Sequence, residues 1–386
     1  MLNRYFKMQT LTFMVLAFGI LFHLQGESSY TNNTLKDIDA GEGKIKLTLV
    51  RVWGDEDTDD ENQFFHCPGD IKIDSMGRIY ILDSGNHRIQ VFDKNRNFIR
   101  TIGKRGQGPA DMLGPSSLSF TSNNNIVVSD TFNYRLQVFN QEGKYVQSFR
   151  TGSSIVTRFC ISPKDEILLY LPKKEDEKKW ALSLLDFQGN WKKDILTLPC
   201  HDEEHIYWNP DKPQTVRECA QESISHLLDD NGDIFMLYGR FPVYQKLSGN
   251  GQLLATVTYE VPYETFKINL SANSVIPQVS RGNAEIKQGP SADFTVDRQG
   301  RIFLVANDRQ LAQKEKYYIT GPGERSANDF PDKTDLHRLL IFDSKGKVIA
   351  AKRLSVFCDR IYLHDDRLFI IDQYRLMMIY EYKYEL

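Results

Sequence analysis

What most constrains the fold of this chain is that its sequence repeats itself. Asp83-Ser-Gly-Asn-His-Arg-Ile-Gln-Val-Phe-Asp93 returns as Asp130-Thr-Phe-Asn-Tyr-Arg-Leu-Gln-Val-Phe-Asn140, an offset of 47 residues. Asp70-Ile-Lys-Ile-Asp-Ser-Met-Gly-Arg-Ile-Tyr-Ile-Leu-Asp83 returns as Asp293-Phe-Thr-Val-Asp-Arg-Gln-Gly-Arg-Ile-Phe-Leu-Val-Ala306. A fixed period of this size marks stacked supersecondary units, because no single unit can bury its own apolar face. Aligned on their second strands, six copies appear, with inner strands beginning near Asp70, Ser117, Arg158, Ser225, Asp293 and Asp359. Between first and second strands lie turns such as Ser75-Met-Gly, Asp230-Asn-Gly and Arg298-Gln-Gly. Between third and fourth lie Gln141-Glu-Gly, Gln188-Gly-Asn and Ser344-Lys-Gly. Gly, Asn and Asp accept the positive φ of tight hairpins. The pattern predicts an all-β fold, a six-bladed β-propeller with four-stranded blades.

The sixth copy stops at its third strand, Leu376 to Tyr382. A candidate for the missing strand is Ile45-Lys-Leu-Thr-Leu-Val-Arg-Val-Trp53, whose Val52-Trp53-Gly54 ending echoes Thr101-Ile102-Gly103. The N-terminal strand would then complete the last blade and close the ring, leaving no open edge. The acidic stretch 55–61 becomes a connecting loop. Asp83 to Phe92 and its second copy resemble the NHL repeat, whose signature runs Asp-x-x-Asn-x-Arg-Ile-Gln-Val-Phe. That resemblance covers residues 44–386, and it implies the same six-bladed ring. The connector Gly103-Lys-Arg-Gly-Gln-Gly-Pro-Ala-Asp111 is similar to those of exported bacterial six-bladed proteins without an assigned activity.

The N-terminus reads as a targeting segment. Arg4 and Lys7 precede an apolar run from Leu11 to Leu24, and Gly26 offers a small residue for cleavage. Residues 1–26 are therefore expected to be a signal peptide, or else an uncleaved anchor that gives the chain its one membrane contact. Residues 27–43 are read as a linker. Export would place the protein in the periplasm or outside the cell. With a formal net charge of −3 the chain has no basic excess, which argues against nucleic acid as a partner. Export also permits disulfides. Cys200 and Cys219, outside the recognisable strands, are expected to pair, closing a loop whose chain-entropy contribution is ~3 kcal/mol. Cys160 and Cys358 fall in apolar runs and are expected to act as small hydrophobes.

Function is less legible. Long insertions occur at Pro172–Trp180, Pro199–Glu222, Val261–Gly289 and Asn307–His337, all of the kind that lies on one face, over blades three to five. Asp83 with Arg88, and Asp130 with Arg135, are expected to hold turns rather than a ligand. The first reading is a non-enzymatic binding propeller, without catalytic residues or cofactor, that recognises a protein, peptide or glycan on the insertion-bearing face. Its expected anchors are Tyr207, Trp208, Arg240, Tyr317, Tyr318 and Arg325, residue types that concentrate binding energy. The alternative is a metal-assisted hydrolase or lyase at the channel mouth. Asp70, Asp293 and Asp359 would converge there on Ca²⁺, as in six-bladed lactonases and esterases, unless Arg158 neutralises them. Zn²⁺ has weaker claims. His201-Asp-Glu-Glu-His205 matches the H-x-x-E-H pattern, which needs both histidines on one helix face, and Cys200, His201, His205 and Cys219 offer another donor set. His226 is the one histidine at an inner-strand position comparable to the zinc ligands of the NHL-type peptide-amidating lyase.

Overall fold

The computed structural model describes residues 28–54, 62, 64–152, 156–173, 176–199, 203–207, 214–218, 224–239, 241–263, 267–269, 278–280, 289–310, 319–321, 324–325 and 333–386. Six antiparallel four-stranded blades are present. From the axis outward, blade one runs Pro68–Ile73, Ile79–Asp83, Arg88–Phe92 and Phe98–Ile102. Blades two to five begin on the inner strands Pro115–Phe120, Phe159–Ile161, Ile224–Leu228 and Ser291–Val296. Their outer strands are Tyr145–Arg150, Trp191–Pro199, Leu253–Tyr259 and Val348–Arg353. The hairpins form where the turn chemistry predicts them. In blade one the Asp74 carboxylate accepts from the backbone N–H groups of Met76 and Arg78, and Gly77 supplies φ +78°. Asp229 with Gly232 and Asp297 with Gly300 repeat the device. Apolar side chains from neighbouring blades fill the wedges between them. One such wedge holds Tyr80, Leu82 and Val91 of blade one against Leu118, Ile126 and Phe139 of blade two.

Blade six is assembled from both ends of the chain. Arg360–His364, Arg367–Asp372 and Met378–Glu385 come from the C-terminus, and Lys46–Trp53 pairs antiparallel with the last of these, from Lys46↔Glu385 to Trp53↔Ile379. The expected closure is therefore the one observed. A side-chain latch reinforces it. Fully buried Glu381 takes Arg96 of blade one in a two-pronged pair, Nη2–Oε1 at 2.7 Å and Nε–Oε2 at 3.1 Å. Trp53 Nε1 donates to Oε2 at 3.2 Å, and Arg367 lies 3.4 Å from Oε1. By register Glu381 stands where blades one and two carry Val91 and Val138. Burial pushes its carboxyl up, but Arg96 and Trp53 outweigh that and hold it below its ordinary range.

Residues 29–43 are not the linker that the sequence suggests. Ser29–Asn33 adds a fifth strand, parallel to the outer strand of blade four. The helix Leu35–Gly41 then lies on the outer strand of blade five. It begins with a capping box in which Thr34 and Asp37 satisfy each other's backbone N–H. Between strand and helix, buried Asn33 donates to the carbonyls of Thr258 and Gly346 and accepts from Val348 N at 2.8 Å. Ile38 enters the core between blades four and five. Gly41 lets the helix approach closely, since an added Cβ would sit a tight 3.2 Å from the Ala350 carbonyl carbon. A short polar stretch with one deep apolar residue carries little periodicity, so its docking could not be read from the sequence.

Candidate functional site

The two ends of the ring differ. On one, the short hairpin turns of neighbouring blades touch: Asn124 Nδ2 donates to Ser75 Oγ at 2.6 Å, and Ser122 Oγ to Asp165 Oδ2 at 2.7 Å. On the other, connectors meet second-to-third turns, with Gly85 N donating to the His66 carbonyl and Phe132 N to that of Leu113. Every long insertion leaves and rejoins the ring on this second face. Three of them carry a short antiparallel hairpin: Glu203–Tyr207 with Gln214–Glu218, Lys267–Asn269 with Gln278–Ser280, and Ile319–Gly321 with Glu324–Arg325. In blade three the second and third strands extend outward to the pair Lys173↔Asp176.

The repeat motif does more than hold its own turn. Asp83 Oδ2 pairs with Arg88 Nε at 2.8 Å and accepts from Asn86, as expected, while Oδ1 accepts His66 N at 2.7 Å. Asp130 copies this with Arg135, Asn133 and Leu113 N. Each aspartate therefore fastens the incoming connector to its blade, a contact 17 residues back in sequence. Blade five keeps the arginine and changes the acids. Arg338 sits at the Arg88 position, opposite Ala306, and reaches Asp308 and Asp39 of the N-terminal helix. In blade six the Arg375 guanidinium reaches Asp359 at 3.3 Å. Burial and Asp359 push the neighbouring Asp372 carboxyl up to about 6.

At the channel mouth the register corrects the sequence alignment by one residue. Asp70 lies opposite Leu82, Ser117 opposite Ser129 and Asp293 opposite Val305, and in blade six Arg360, not Asp359, lies opposite the matching Ile371. The level therefore carries two aspartates and two arginines instead of three carboxylates. Asp70 Oδ1 holds Lys72 Nζ at 2.5 Å and Oδ2 accepts Leu118 N at 3.0 Å. Asp293 Oδ1 holds Arg158 Nη1 at 2.8 Å and Oδ2 accepts Ile361 N at 3.1 Å. Asp359 accepts Gln373 N and faces Arg375. Each acid is occupied separately, and among the described residues no three His, Cys, Asp or Glu side chains are grouped to hold a metal. Ca²⁺ would have to displace Lys72 and Arg158, so this donor set does not fit it. Of the two zinc patterns, the donor set Cys200, His201, His205 and Cys219 lies mostly outside the described residues, and H-x-x-E-H does not find its geometry. His205 lies in the strand Glu203–Tyr207, where H-x-x-E-H would need a helix.

His226 is turned away from the channel role that its position suggested. Its Nε2 lies 3.2 Å from the Leu168 carbonyl, and its ring meets Tyr170 edge-on at 5.2 Å. Burial pushes the imidazole down to about 4, so the folded protein holds it neutral. The unfolded chain takes up that proton near pH 6.5, so stability falls as pH drops from about 6.5 towards 4. A His226→Phe variant, which keeps a ring against Tyr170, should lose less stability on acidification than the native chain. Urea midpoints compared between pH 7 and pH 5 read the difference; equal losses would show that His226 is not the buried neutral group.

Of the predicted anchors, Tyr207 ends the strand Glu203–Tyr207 and Arg325 ends Glu324–Arg325. Trp208, Arg240, Tyr317 and Tyr318 lie outside the described residues, as do Cys200, Cys219 and the apolar run 11–24. Cys160 and Cys358 are thiols, the second fully buried. Among the described residues no helix is long and apolar enough to cross a membrane.

Comparison with known proteins agrees with this geometry. The family described as a 6-bladed beta-propeller matches residues 57–217. A member of the DUF4221 family from Bacteroides vulgatus superposes with a TM-score of 0.56 at 13% identity, over 88% of this chain and 98% of its own. A predicted exported protein from Bacteroides fragilis gives 0.52 at 13% identity, over 88% and 87%. No curated protein matches the sequence. At such identity the likeness establishes the six-bladed fold, and the chemistry must be argued from this chain's own residues.

Proposed function

We propose that this six-bladed propeller is an exported binding protein that captures a protein, peptide or glycan ligand on its insertion-bearing face. One observation carries the reading: the insertions are confined to the connector face of blades three to five, whereas the opposite face is closed by short turns bonded to one another. Neutral loop growth would lengthen turns on both faces, and loops carry function where a rigid scaffold presents them. Tyr207, Trp208, Arg240, Tyr317, Tyr318 and Arg325 are the proposed anchors. A Cys200–Cys219 disulfide would stiffen the connector between blades three and four. Export is supported by the apolar run 11–24 and by the predicted exported Bacteroides fragilis protein of similar fold.

Replacing residues 311–332 with a short turn should leave the ring folded, because the flanking strands Ile302–Asn307 and His337–Phe342 remain paired and Asp308 keeps its contacts with Arg338 and Leu336. The shortened protein should then lose capture of the ligand that a pull-down from the native compartment identifies. Unchanged affinity in a normally folded variant would remove this insertion from the site. The metal-assisted reading is not favoured, since the acids at the channel mouth already hold cations.

A further inference from the structure

The mouth of the channel carries more positive than negative charge. At its level Lys72 offsets Asp70, and Arg158 offsets Asp293. Arg360 has no such partner: among the described residues no carboxylate oxygen lies within 4.0 Å of its guanidinium nitrogens. Its Nη1 donates instead to the Ser116 carbonyl at 2.9 Å and its Nη2 to that of Thr157 at 3.4 Å. Thr157 directly precedes Arg158, so the two arginines, from opposite blades, meet in one mouth. Burial and then Arg158 push Arg360 below the ordinary arginine range, and Asp70 and Asp293, acting from beyond contact distance, only partly offset them. Two neutral carbonyls satisfy hydrogen bonds but leave the charge, and a partly buried charge whose nearest acids are in contact with other cations is costly. Beside Arg360, the Ser116 and Thr131 hydroxyls lie 2.7 Å apart and are taken up by the carbonyls of Val156 and Thr157.

We propose that the channel mouth binds a single carboxylate of the ligand, held between Arg360 and Arg158. The class follows from the charge count. With Asp359 taken by Arg375, Lys72, Arg158 and Arg360 face Asp70 and Asp293, so one negative charge restores balance at this level, whereas a phosphate dianion overshoots it. A guanidinium also presents a planar fork that matches a carboxylate. Inner strands start at the connector face, so the mouth opens on the face where the insertions are rooted. The proposal thus rests on the reading of that face as the binding surface and adds the ligand's chemistry.

Isothermal titration of the full protein with small acids tests it. Galacturonate is compared with galactose, and N-acetyl-alanine with its amide, which separates an acidic sugar from a peptide C-terminus. At least one acid should bind, with affinity on the order of millimolar for so small a ligand, and the neutral counterparts should not. Arg360→Gln should weaken that binding by about tenfold or more, and Arg360→Lys by less. Asp70→Asn should strengthen it, because a competing carboxylate is gone while an amide oxygen still accepts from Leu118 N. If Arg360→Gln does not fold, the Asp70→Asn comparison decides alone. Acids binding no better than their neutral counterparts, or unchanged affinity in both variants, would overturn the proposal. Such a failure would leave the insertion-shortening result standing, so the two readings fall separately.

Discussion

A chain that begins at Asp55 is expected to aggregate, or to melt far below one that begins at Glu27. The deletion removes Lys46–Trp53, the outermost strand of blade six, and leaves Met378–Glu385 with a row of unpaired N–H and C=O groups. Trp53 is fully buried and Ile45 nearly so. Burying side chains of this size contributes roughly 1.5–3 kcal/mol each, and each ladder hydrogen bond adds about 0.5–1.5 kcal/mol. Summed over the strand, this is comparable to the whole stability of a typical domain, about 5–15 kcal/mol. A third chain, beginning at Lys44, separates closure from the belt formed by Ser29–Gly41. It keeps the closing strand and loses Asn33 and Ile38, so it should melt between the other two. Thermal unfolding followed by circular dichroism reads all three; equal midpoints for the Asp55 and Glu27 chains would refute closure by the N-terminal strand.

Glu381→Ala should be the most damaging single substitution in the ring. It removes the fully buried member of an ion pair, and breaking a buried pair in this way typically costs about 3–5 kcal/mol because the other charge remains. Arg96 is a quarter exposed and can turn to solvent, which places the expected cost near the lower end. Trp53 Nε1 loses its acceptor in the same step. Urea denaturation of Glu381→Ala, Arg96→Ala and the double variant should show strong non-additivity, the double costing less than the sum of the singles. A loss below about 1 kcal/mol for Glu381→Ala would mean that the latch contributes little. Glu381→Val, which restores the residue type of Val91 and Val138, should still destabilise while Arg96 is present. With Arg96→Leu added, much of the loss should return, since a well-packed apolar replacement of a buried pair is often close to neutral.

Local pattern alone determined the number of blades, the hairpin turns and the strand that closes the ring. These depend on period-two apolar alternation and on Gly, Asn and Asp at positive φ, which neighbouring residues suffice to specify. The one-sidedness of the insertions was legible for the same reason, because their place within a repeat assigns them to a face. What the sequence could not decide lies wherever partners are distant along the chain. The channel level was misaligned in blade six because Asp359 looks like Asp70 locally, and only pairing with Ile371 puts Arg360 at that position. His226 was a channel histidine by position and proved to pack against Tyr170, since a strand's starting level does not say which wedge a side chain enters. The belt from Ser29 to Gly41 docks through Asn33, Ile38 and Gly41 onto strands more than 200 residues away. Glu381 is one acid among many until the fold brings Trp53, Arg96 and Arg367 around it. Charge balance and buried hydrogen bonding are sums over three-dimensional neighbours, so only the tertiary structure could settle them.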